Sequence, residues 1–94
     1  MTTKYYVEFV DRKSYCDYIM QSKWLSSELE CEKWLISEFD FIDFSVVDVY
    51  IMWADFDEDG DYGDIQSHRQ ITALDYLDLE RRLKWNTTKI CLIC

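Results

Sequence analysis

The sequence predicts a small α+β domain, an antiparallel sheet carrying two helices, and three observations support that expectation. Segments of two-residue apolar alternation and segments of helical spacing follow one another in the order strand, helix, strand, strand, helix, strand. Each expected helix is preceded by a hydroxyl residue with an acid three positions on, Ser27-x-x-Glu30 and Thr72-x-x-Asp75. The 94 residues contain no proline, and both glycines fall in one short segment, so nothing marks a linker and residues 1–94 read as a single compact domain.

Lys4 to Val10 alternates, with Tyr5, Val7 and Phe9 on one side and Lys4, Tyr6 and Glu8 on the other, the pattern of a strand with one core face. Asp11 is placed to cap a short helix over Arg12–Gln21, although the aromatics there suit a strand equally well. Behind Ser27, the positions Leu29, Trp34, Leu35 and Phe39 predict a helix from Glu28 to Phe39. Asp43 to Asp55 reads as a long strand that is apolar on both faces apart from Asp48, hence a central one. If its second face is uncovered, it is an interface candidate and would allow a homodimer. A weaker strand, Asp64 to Ile71, completes a hairpin. After Thr72, Ala73, Leu74, Leu77 and Leu83 predict a helix ending near Trp85, with Asp78/Arg82 and Glu80/Lys84 paired on its wet side. Residues 89–93 form a last short strand. The order β-α-β-β-α-β is the ferredoxin-like arrangement, with both helices on one face of the sheet.

The chain carries 19 acidic and 10 basic residues, a net charge of −9. That balance disfavours direct contact with nucleic acid and with anionic membranes. It favours a basic protein or a cation as partner. Apolar residues make up 49% of the chain, enough for a core, and aromatics an unusual 17%. The first residues show no apolar stretch of signal-peptide type, so the expected location is cytoplasmic, with the four cysteines reduced.

The charge is unevenly placed. Six of the ten residues from Asp55 to Asp64 are acidic, and no Lys or Arg occurs between Trp34 and His68. Like charge at this density weakens a fold unless something offsets it. The candidate partner-binding residues are therefore Asp55, Asp57, Glu58, Asp59, Asp61, Tyr62 and Asp64. In an extended hairpin, Asp55, Asp57, Asp59 and Asp61 would form a row spaced about 6.6 Å apart, able to occupy a groove lined for phosphates. Phe56, Tyr62, Trp24 and Trp34 would supply anchoring contact. The plainer alternative is a solvated hairpin kept soluble by its acids.

A second reading takes Asp55-x-Asp57-x-Asp59-Gly60 as the start of a calcium loop, with Asp61 ligating through its carbonyl. Position 12 of that loop is Gln66 where the motif needs a carboxylate, and the segment leading in reads as a strand. No cofactor is otherwise expected. Cys91-Leu92-Ile93-Cys94 has the spacing of half a zinc site, but Cys16 and Cys31 are isolated and residues three apart on a strand point to opposite faces. His68, the only histidine, lies in no nucleophile motif and is expected to have no chemical role. An enzyme would instead show a pocket lined by His68 and two or more acids.

In size and composition alone, the chain is similar to small phage-encoded inhibitors of host defence, the anti-CRISPR and anti-restriction proteins that imitate DNA. That resemblance implies a nucleic-acid-binding target in a host, whose cytoplasm would then be the location. It also implies action by occlusion, without turnover.

Overall fold

The computed structural model describes residues 2–13 and 18–85. In chain order they form β1 (Thr2–Asp11), β2 (Tyr18–Gln21), α1 (Glu28–Glu38), β3 (Val47–Phe56), β4 (Gln66–Ile71) and α2 (Ala73–Leu79), which continues as a π-helical stretch over Glu80–Trp85. The strands make one sheet in the order β2-β1-β3-β4, each neighbouring pair antiparallel.

The α+β class holds, with an antiparallel sheet and two helices. The ferredoxin-like order does not match the sheet that the described residues build. The segment after Asp11 contains a strand, β2, which reverses the chain once more before α1. The chain therefore re-enters the sheet as β3 directly beside β1 and antiparallel to it. Because β2 and β3 both oppose β1, they run parallel to each other with β1 between them. The split β-α-β unit is thus present, but it begins one strand later than expected. The strand expected over residues 89–93 lies outside the described residues.

Local chemistry sets the element ends. Ser27 caps α1, its hydroxyl accepting from the Glu30 N–H at 3.2 Å. Thr72 and Asp75 form the full reciprocal box at the start of α2. There the Thr72 N–H, and after it the Thr72 hydroxyl, hold the Asp75 carboxyl below the usual carboxylate range. β3 begins at Val47 and not at Asp43, because the Asp43 carboxylate accepts from both the hydroxyl and the N–H of Ser45 and holds residues 44–46 in a turn.

The core lies between the sheet and both helices. Tyr5, Val7 and Phe9 of β1 stand opposite Trp53, Ile51 and Val49 of β3, and Ile71 of β4 pairs with Val49. Onto this face pack Cys31, Leu35 and Ile36 of α1 with Tyr76 and Leu79 of α2. Leu35, Ile51, Ile71 and Val49 are fully buried, each side chain stabilising by about 1.5–3 kcal/mol. Burial, and then the charges of Glu28, Glu32 and Glu30, push the Cys31 thiol up to about 12, so it stays a neutral core residue. On the opposite face, Tyr50 and Met52 are half-buried, and Trp24 covers Tyr6 and Phe56 at one end. No described helix is long and apolar enough to cross a membrane.

Candidate functional site

The acidic segment is the connection of the β3–β4 hairpin, and its tip is a closed turn where the sequence predicted an extended row. The Asp57 N–H donates to the Asp61 carbonyl at 2.8 Å, and the Gly60 N–H to the Asp57 carbonyl at 3.2 Å. Gly60 takes φ +86°, a conformation that L side chains rarely adopt. The Asp57 side chain turns inward: one carboxylate oxygen accepts the N–H groups of Asp59, at 2.9 Å, and Asp61, at 3.0 Å. Asp57 is therefore the staple of the turn. The row of four evenly spaced aspartates does not form, because an Asp-x-x-Gly turn closes on itself.

The charge nevertheless faces water. Asp55, Asp57, Glu58, Asp59, Asp61, Tyr62 and Asp64 are all exposed. Among the described residues no Lys or Arg forms an ion pair with any of these acids. The loop is tied down by aromatic packing. Tyr62 bridges back to Phe56, and Trp24 packs against both, with ring centroids 4.9 Å from Phe56 and 5.3 Å from Tyr62. Tyr6 stacks edge-on to Trp24 at 4.9 Å, and the Lys4 ammonium lies 4.8 Å from the Phe56 ring centroid. Burial, then the Glu8 charge and hydrogen bond and the Tyr62 hydroxyl, raise the Tyr6 phenol to about 12. Of the expected aromatic anchors, Phe56 is buried and Trp34 packs at Phe9 and Phe39 on the helix-covered side of the sheet.

Asp55, Asp57, Asp59 and Asp61, the calcium candidates, share this loop. Among the described residues no three His, Cys, Asp or Glu side chains converge to hold an ion. Cys16, Cys91 and Cys94 lie outside the described residues.

A second cluster of acids lies where α1 meets β4, and the sequence reading missed it. Arg69 donates through Nε to Glu28 at 2.7 Å and through a terminal nitrogen to Glu32 at 2.6 Å. Arg82 approaches Glu32 at 3.6 Å and bonds Asp78 at 3.0 Å, the expected i,i+4 pair. The His68 Nε2 lies 2.6 Å from the other Glu28 oxygen. Burial works to raise the Glu28 carboxyl, but the hydrogen bonds and charges of His68 and Arg69 outweigh it and hold the group below its usual range. Two glutamates one helical turn apart, each with a cation 37 to 41 residues away, leave only a weak local signal.

Between this cluster and the acidic loop lies an open cleft of about 390 Å³, lined by Thr3, Tyr5, Trp53, Asp55 and His68. His68, expected to be a hairpin residue without a role, is thus held by Glu28 and placed at a concave surface. One acid, Asp55, lines the cleft with it. Compared with protein-family models, curated proteins and solved structures, the chain matches none.

Proposed function

We propose that the protein is a small acidic docking module whose β3–β4 loop occupies a Lys/Arg-lined groove on a nucleic-acid-binding partner and excludes the nucleic acid. The observation that carries this reading is the contrast in charge pairing. Three of the four described arginines, Arg12, Arg69 and Arg82, are committed to acids elsewhere in the fold, while six exposed acids on one aromatic-braced loop have no such counter-charge among the described residues. A fixed loop of like charge raises the local potential, speeds encounter with a basic surface and makes that encounter sensitive to salt. The action is binding without turnover, and the likeness in composition to DNA-imitating phage inhibitors supports a target in a host cell.

The test is displacement of a labelled DNA duplex from basic nucleic-acid-binding proteins of the host cell. The unmodified protein displaces the duplex at low salt and progressively less as salt rises. The quadruple variant Glu58→Gln, Asp59→Asn, Asp61→Asn, Asp64→Asn, which leaves the Asp57 staple in place, loses displacement by tenfold or more. Equal activity of the two proteins ends this reading. Millimolar Ca²⁺ leaves the melting temperature unchanged; a rise removed by Asp59→Asn would favour a calcium loop instead.

A further inference from the structure

We propose that the cleft lined by Tyr5, Trp53, Asp55 and His68 binds a guanidinium group, an arginine side chain of the basic partner. The arginine's belonging to a partner rests on the reading above; the chemistry of the cleft does not. Tyr5 and Trp53 stand directly opposite each other on β1 and β3, on the same face of the sheet, and give the cleft two aromatic walls. Asp55 lies two residues further along β3, in register with Thr3. The Thr3 hydroxyl donates to Asp55 Oδ1 at 2.5 Å, which orients the carboxylate. The second carboxylate oxygen accepts no hydrogen bond among the described residues. An oriented carboxylate beside aromatic walls is the environment that a planar, weakly hydrated guanidinium uses better than an ammonium does, because it stacks and donates in its plane together.

The charges around the cleft allow a cation. The His68 ring stands edge-on to Tyr5 at 5.7 Å, and its Nε2 lies 2.6 Å from the Glu28 carboxylate. Glu28 and Glu30 in the first turn of α1 offset the positive end of that helix. The acidic loop continues from Asp55, so an arginine in the cleft leaves the neighbouring basic residues of the partner facing Glu58 to Asp64.

The experiment titrates N-acetyl-arginine amide into the ¹⁵N-labelled chain at low salt, following the Trp53 indole N–H and the backbone amides of Thr3 and Asp55. The expected result is a saturable shift in the low-millimolar range, with N-acetyl-lysine amide several-fold weaker. Asp55→Asn should weaken the arginine response about fivefold with the amide spectrum otherwise unchanged, and Trp53→Leu should remove it at Thr3 and Asp55. If Trp53→Leu disturbs the fold, Asp55→Asn decides alone. Linear shifts without saturation, an undiminished response in Asp55→Asn, or lysine binding as tightly as arginine overturns the proposal. Saturable arginine binding by a protein that displaces no DNA would keep the guanidinium site and end the docking reading. Displacement without saturable arginine binding would do the reverse.

Discussion

Glu28 and Glu32 meet Arg69, Arg82 and His68 between α1 and β4, whereas the acids from Asp55 to Asp64 have no Lys or Arg partner among the described residues, Asp55 accepting from a threonine hydroxyl and Asp57 from backbone N–H groups. Both groups are carboxylates within one small fold, so the difference lies in where the cations were placed. At the helix–sheet junction Glu32 is nearly buried, and an unpaired carboxylate there would cost several kcal/mol. In the loop the same groups stay in water, at little desolvation cost but with mutual repulsion. The first arrangement joins elements distant in sequence. The second displays charge, and the fold holds it in shape through Gly60, Asp57 and the Trp24–Phe56–Tyr62 stack.

That contrast breaks most visibly at Arg69. Arg69→Met leaves Glu32 with only the longer contact to Arg82, and urea unfolding should show a loss of about 2–3 kcal/mol. The quadruple loop variant, by contrast, should unfold at the same urea concentration as the parent or a higher one. A destabilised loop variant together with a stable Arg69→Met protein would invert the assignment.

Gly60→Ala sharpens the loop side. With φ +86° and open space around it, the cost is backbone strain alone, about 1 kcal/mol by chemical denaturation. Gly63→Ala, in open space and without a positive φ, should change stability by less than about 0.5 kcal/mol.

The smallest effect is in pH. The folded Glu28 carboxyl sits below its ordinary value of 4.5, so its contribution is complete above that value. As pH falls through the lowered folded value, that contribution is lost. Glu28→Gln should therefore flatten the decline of stability below pH 4.5, measured by thermal melts across the acid range. An unchanged slope would mean that the His68 and Arg69 bonds do not hold the carboxylate in solution.

How much of this was legible followed from range in sequence. α1 and the Thr72–Asp75 box are set by neighbours within four residues, and β1 shows its face through a two-residue alternation that a short window reveals. β2 is four residues long and among the described strands bonded to β1 alone, too short for a periodicity, and its omission shifted the expected strand order by one. The spacing Asp57-x-x-Gly60 was visible, but it serves a side-chain-stapled turn as well as a cation loop, and only the fold shows the carboxylate bonded to backbone N–H groups. The Glu28–His68 pair joins residues 40 apart and the cleft beside it draws on β1, β3 and β4, which no window of the sequence connects.

The most direct measurement compares two variants of equal net charge in the DNA-displacement assay: Asp59→Asn with Asp61→Asn in the loop, and Glu38→Gln with Asp40→Asn, exposed at the far end of α1. If the loop is the docking element, the first loses several-fold in potency and the second stays near the parent. Equal losses would show that net charge acts without a site, and would contradict the assignment of the β3–β4 loop.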